Sequence, residues 1–111
     1  SPAFRAEDSC DCIKQIYESM IPNELRHALG ENYTPDWLAE WIIRQAAADP
    51  GASIMDPTCG SGTFLCRAIA MKRRAGLSLE AILSTVRGLD LNPLAVLTAK
   101  SDCSAILAAP L

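Results

Sequence analysis

One stretch in the middle of this chain, Asp56-Pro57-Thr58-Cys59-Gly60-Ser61-Gly62-Thr63-Phe64-Leu65, limits its architecture more than any other. A short apolar run over 52–55 leads into an acidic residue, a glycine-bearing turn and an apolar segment of helical character. Strand, turn and helix in that order set a carboxylate and a loop of bare backbone at the C-terminal end of a strand, where open α/β sheets bind their ligands. Gly60 and Gly62 allow φ > 0 and let backbone approach a ligand with no Cβ in the way. The helix that follows opens with N–H groups that lack intrahelical partners and can meet polar ligand atoms. A tight strand-to-helix turn with no ligand has the same outline, so the residues around the turn must decide. Two familiar ligands fail on spacing. A dinucleotide fingerprint needs a third glycine where Leu65 stands, and a P-loop needs Gly-Lys-Ser/Thr where the chain has Gly62-Thr63-Phe64. No pyrophosphate-bearing ligand is favoured.

The chain has 111 residues, half of them hydrophobic, enough for one domain with a modest core. Its apolar runs are short and interrupted, so neither a membrane span nor a secretory signal is expected. A net charge of −3 with interspersed signs argues against a strong grip on nucleic acid by this stretch, since phosphate binding needs clustered Lys and Arg. The basic cluster Lys72-Arg73-Arg74 falls at an expected helix C-terminus, where dipole complementarity and solubility explain it. Five cysteines at irregular spacing do not form a disulfide framework, and reduced thiols in a cytoplasmic protein are the simpler expectation. Cys10-Asp11-Cys12 lacks the C-x-x-C spacing and His27 is the one histidine, so no metal site is expected. Cys59 reads as a small residue in a tight loop and not as a nucleophile, because nothing places His27 near it.

Along the chain, apolar spacing predicts a helical segment from Asp8 through Met20, interrupted by Pro22, with a short turn over 24–29 capped by Asn23 and closed by Gly30. Thr34-Pro35-Asp36 gives a capping hydroxyl, a proline at the first helical position and an acid in the first turn. The helix it starts should run over 34–48, burying Leu38, Trp41 and Ile42, and stop at Asp49-Pro50-Gly51. A strand at 53–55, the glycine turn, a helix over 62–74 ended by Gly76, and a helix over 78–85 follow. A second strand over 86–89 ends in Asp90, and Asn92-Pro93 starts a helix through Leu107 that Pro110 ends. The order implies an α/β fold, two parallel strands joined by a right-handed crossover. We divide the chain into an N-terminal helical segment, 1–30, and a partial ligand-binding domain, 31–111. Two parallel strands are too few to stand as a buried sheet. Residue 1 is not Met, and the chain stops where a third strand would begin. The expectation is a piece of a larger protein whose exposed sheet edges seek a missing segment or a second copy.

Asp90 supplies a second carboxylate at a strand end, beside the glycine turn if the strands are neighbours. A carboxylate there accepts both hydroxyls of a ribose in nucleoside-binding α/β folds, or else simply favours the dipole of the following helix. Two acidic strand ends with a glycine turn between them favour a nucleoside without pyrophosphate. S-adenosylmethionine fits, with its adenosine, ribose diol and amino-acid tail.

Three ordered segments carry a family resemblance: Gly30-Glu31-Asn32-Tyr33-Thr34-Pro35, then 56–65, then Gly88-Leu89-Asp90-Leu91-Asn92-Pro93-Leu94-Ala95. They resemble motifs of the N6-adenine DNA methyltransferases, in particular the large multi-domain enzymes of restriction–modification systems, over residues 24–107. The middle segment is shared with several methyltransferase groups, RNA guanine and adenine methyltransferases among them. Tyr-Thr-Pro points to the DNA adenine group. The resemblance implies a partial Rossmann-like S-adenosylmethionine-dependent fold. It implies that Tyr33, Thr34 and Pro35 pack on the methionine part of the cofactor, and that Asp56 with Thr58, Cys59, Gly60, Ser61 and Gly62 holds its amino-acid end. Asp90 would take the ribose and Leu91 line the adenine. Thr34-Pro35 is equally explained as a helix cap with Tyr33 packed under it, and Leu91 as strand-end packing. The chain departs from the family at Asn32, where a second aromatic is common. It also lacks the catalytic Asn/Asp-Pro-Pro-aromatic element that would hold a flipped-out adenine. By resemblance, then, the chain holds a cofactor. DNA would be met through the full-length protein, with chemistry in its remaining C-terminal part, and this stretch is expected to be inactive alone. Alternatives are an RNA base methyltransferase and a non-catalytic nucleoside-binding module.

Overall fold

Structure follows the punctuation of the sequence closely between Pro35 and Ala109. The structure, a computed structural model, describes residues 34–110 together with 15, 16, 19, 20, 22 and 24. The expectations for the N-terminal segment fall mostly outside the described residues; of the six described there, all but Pro22 are helical. The rest comprises α1 (Asp36–Ala46), β1 (Ile54–Asp56), α2 (Thr63–Arg74), α3 (Leu79–Thr85), β2 (Val86–Gly88) and α4 (Pro93–Ala108). β1 and β2 pair in parallel, Ile54 with Val86, Met55 with Arg87 and Asp56 with Gly88. Helices α2 and α3 form the crossover between them. This is α/β architecture, with flanking helices on a two-stranded parallel sheet, as the sequence implied.

Two helix starts are fixed by side chains. Ser78 Oγ accepts from Ala81 N at 3.2 Å, and Asn92 Oδ1 accepts from Leu94 N at 3.0 Å with Pro93 as the first helical residue. Each cap is worth roughly 1 kcal/mol. At α1 the expectation needs correcting. Pro35 is the N-cap rather than the first helical residue, and no side chain, that of Thr34 included, caps the helix. Its carbonyl accepts from Leu38 N and Ala39 N, both near 3 Å.

The buried face of α1 also differs from the expectation. Ala39 and Ile43 are buried, whereas Trp41 is 57% and Ile42 36% exposed. Apolar residues at 37, 38, 39, 41, 42, 43 and 46 circle most of the helix, so spacing alone selects no face. Small Ala39 lets α1 lie close to α2, and the large rings are left outside.

The core lies where α2, α3 and α4 meet β2. One cluster joins Cys66, Ile69, Ile82 and Ile106, with Leu77, Val86, Cys103 and Leu107 against it. A second joins Cys59, Leu65 and Ala99, and reaches Val86 and Cys103. On α4 the buried residues Ala95, Thr98, Ala99, Asp102 and Ile106 form one helical stripe.

The basic cluster does more than complement a dipole. Lys72 is only 2% exposed, and its Nζ donates to the Pro50 and Ala52 carbonyls, each at 2.6 Å. Burial pushes its ammonium below the usual lysine value, an effect the Asp49 carboxylate opposes. Arg73 donates to the Ile106 carbonyl and, at 2.6 Å, to that of Ala109, closing the C-terminal end of α4. Arg74, half-exposed, keeps the surface role the sequence suggested.

Candidate functional site

Beyond Asp56 the chain leaves β1 and turns sharply across the end of β2. Leu89 N donates to the Asp56 carbonyl at 2.9 Å, and Cys59 N donates to the Leu89 carbonyl at 2.8 Å. The two strand exits are thereby laced together past the sheet. Each aspartate also begins an Asx-turn, its side chain accepting from the backbone two residues on. Thr58 N donates to Asp56 Oδ1 at 3.1 Å, and Asn92 N to Asp90 Oδ1 at 2.8 Å. The other oxygen of Asp90, Oδ2, accepts from Gly60 N at 2.9 Å, a bond spanning 30 residues.

Glycine is required at two points of the turn. Gly60 has φ +55 and Gly62 φ +96, values L side chains rarely adopt. A Cβ on Gly62 would stand 2.9 Å from that of Ala99, so α2 begins in direct contact with α4. Gly62 N donates to the Cys59 carbonyl at 2.9 Å, and the Gly62 carbonyl accepts from Cys66 N at 2.8 Å, starting the helix.

Cys59 faces inward beneath the turn. Its thiol is pushed up to about 11, first by burial and then by the Asp90 and Asp56 carboxylates, with a smaller contribution from Cys103. A thiol held protonated at neutral pH is no nucleophile. Cys59 is a packing residue, as its place in a tight loop implied.

The structure thus gathers Asp56, Thr58, Cys59, Gly60, Ser61, Gly62 and Asp90 into one turn between two strand ends. Thr34 and Pro35 are half-buried at the head of α1, which the 3.5 Å Asp36–Arg67 ion pair ties to α2. Tyr33 lies outside the described residues. Leu91 projects fully into solvent beside Asp90, an apolar surface with no protein packed over it. Sequence reasoning missed the parts played by the Leu89 backbone and the Asn92 N–H. The Asp-x-Asn-Pro pattern, an Asx-turn leading into a capped helix, carried the signal for the latter.

An apolar hollow of about 240 Å³ opens between α1 and β1, lined by Ile42, Ile43, Ala46, Ile54, Met55 and Phe64, among others. It reaches Asp56, but neither Asp90 nor the glycine turn lines it. The polar groups that converge are on the turn, and we place the candidate site there.

Chemically, the turn offers two half-buried carboxylates and a glycine backbone at the carboxyl end of a parallel pair. A carboxylate has about four lone-pair directions. With one N–H on each oxygen, Asp90 keeps acceptor capacity for two further donors, the number a vicinal diol presents.

The fold and turn together define the class, an α/β methyltransferase-like protein with its glycine motif at the end of the first strand. The chain belongs to the N-6 DNA methylase family, whose family model matches residues 8–104. It is 33% identical over 88 residues to a type I restriction enzyme MjaIX methylase subunit from Methanocaldococcus jannaschii. That alignment covers 77% of this chain and 15% of the relative, so the chain spans a small part of that protein's length. No solved structure matches the chain.

Proposed function

We propose that this chain is the S-adenosylmethionine-binding part of a DNA adenine-N6 methyltransferase of restriction–modification type. The observation that carries the reading is the Asp90 carboxylate, fixed by Gly60 N and Asn92 N at the end of β2, beside the glycine turn. Family membership supplies the reaction class.

The residues suit this cofactor in kind. Asp90 would accept the ribose hydroxyls, and Leu91, bare beside it, would cover a face of the adenine. Asp56 and the backbone of 58–62 would hold the amino-acid end, with Thr34 and Pro35 at its flank together with Tyr33. Two carboxylates close to a turn that lacks Lys and Arg favour a cationic ligand and repel a polyphosphate. When bound, the cofactor supplies an electrophilic methyl group on a sulfonium. The task of this chain is to orient that group. Holding reacting partners in line is itself a large share of the acceleration in such transfers.

The chain contains no Asn/Asp-Pro-Pro-aromatic element, so binding of the target adenine is assigned to another part of the protein. DNA, the remainder of the methyltransferase and the further subunits of a restriction complex are the partners this implies, in the cytoplasm. Among the described residues no helix is long and apolar enough to cross a membrane.

Calorimetric titration tests the reading. S-adenosylmethionine should bind saturably and ATP should not. Asp90→Ala should weaken binding about tenfold or more, because hydrogen bonds to a charged group are worth roughly 1.5–3 kcal/mol. Absence of binding both in this chain and in the intact protein that carries it would sink the proposal.

A further inference from the structure

Two thiols meet in the core at a place the cofactor reading does not use. Cys66 on α2 and Cys103 on α4 are 37 residues apart in sequence, with their Sγ atoms 3.9 Å apart. Both belong to the cluster around Ile69, Ile82 and Ile106. Cys66 is buried and Cys103 partly open. A disulfide needs the sulfurs at about 2.05 Å with the Cβ atoms roughly 3.5–4.5 Å apart. The two sulfurs would have to close by about 1.9 Å, between helices that share one core cluster.

We propose that Cys66 and Cys103 are an oxidisable dithiol that a hydroperoxide closes to a disulfide across the α2–α4 interface. The more open Cys103 meets the oxidant first, and the Cys66 thiol beside it, by hydrogen bonding, holds the Cys103 thiol below its ordinary value. Its thiolate attacks one peroxide oxygen; the O–O bond breaks, giving Cys103 sulfenic acid and a hydroxide or alkoxide. The sulfur of Cys66 then attacks Cys103 sulfur. The S–S bond forms, the S–O bond breaks, and oxygen leaves as water with the Cys66 proton. The two sulfurs together lose two electrons, which the peroxide gains. Cys59 is not a competitor for the first step, since burial and the neighbouring carboxylates push its thiol up to about 11 and leave it protonated at neutral pH.

The place of the bridge gives it a consequence. Ala99, one helical turn before Cys103, is the residue that Gly62 touches. A covalent tie at Cys66–Cys103 therefore fixes the helix spacing directly beneath the glycine turn. The proposal stands whether or not that turn binds S-adenosylmethionine.

Peptide mapping of the full chain after exposure to hydrogen peroxide, without reduction, tests it. The expected product links Cys66 to Cys103, with fragmentation showing Cys59 free, and dithiothreitol reverses it. The thermal midpoint of the bridged chain should rise by about 5 °C or more. Cys66→Ser and Cys103→Ser should each abolish both effects. Exposed Met55 is an internal gauge of oxidant access, being 60% exposed. Its sulfoxide appearing while Cys66 and Cys103 stay reduced, or a bridge to any other cysteine, overturns the proposal.

Discussion

Asp90 shows how much a single side chain can organise. Its two oxygens accept N–H groups from Gly60 and Asn92, so one carboxylate joins the turn after β1 to the turn after β2. An amide cannot copy this, because its NH₂ would face an N–H donor. Asp90→Asn should therefore lower the thermal midpoint as well as ligand affinity, a pairing that a residue serving only the ligand would not show. Gly62→Ala sets a methyl 2.9 Å from the Ala99 Cβ at a φ of +96. Overpacking and backbone strain together should cost about 2 kcal/mol or more, read from urea unfolding. Cys59 makes an alkaline prediction. Its folded thiol, raised from 9.0 to about 11, keeps its proton where the unfolded chain has lost it. The stability it contributes is fully present below pH 9 and falls as pH rises towards 11. Thermal midpoints measured across that range should fall less steeply in Cys59→Ala.

At the scale of elements, start and stop signals were legible and faces were not. Asn92-Pro93 and Ser78 announce α4 and α3, and both caps are in place. The glycine turn was readable because turn chemistry is local, and the parallel order because helices between two strands imply a crossover. The buried side of α1 was not, since nearly every side of that helix is apolar and only contact with α2 selects Ala39 and Ile43. Lys72-Arg73-Arg74 misled for a related reason. A run of like charges reads as solvated surface, and only the tertiary structure shows Lys72 and Arg73 reaching carbonyls of distant segments. Of the candidate site, the two aspartates and the glycines were visible in sequence, while the backbone bonds that link the strand exits depend on register. Lys72→Met should cost roughly 1–3 kcal/mol, because the half-buried Ala52 carbonyl would lose its partner. Hydrogen exchange should place the added mobility in the segment just before β1.

On the scale of the whole molecule, the described residues form a two-stranded sheet, and each strand has an outer edge with no strand beside it. Trp37, Trp41 and Met55 lie open on the surface, 71%, 57% and 60% exposed. Such edges and apolar surface invite pairing. Sedimentation should show the chain associating with rising concentration, and Met55→Lys, a charge in the middle of β1, should reduce this. Gly88 carries a quieter consequence. A Cβ there would crowd Leu65 Cδ1, the free end of a side chain, and lie 3.1 Å from the Cys59 Cβ. Bare backbone at 88 leaves room for the Leu65 side chain and for Cys59 at the foot of the glycine turn. A methyl group at 88 would be met first by a turn of the Leu65 side chain and then by a shift of a few tenths of an ångström at Cys59. A substitution at 88 would thus reach the glycine turn through Cys59, with every residue of the turn unchanged in identity.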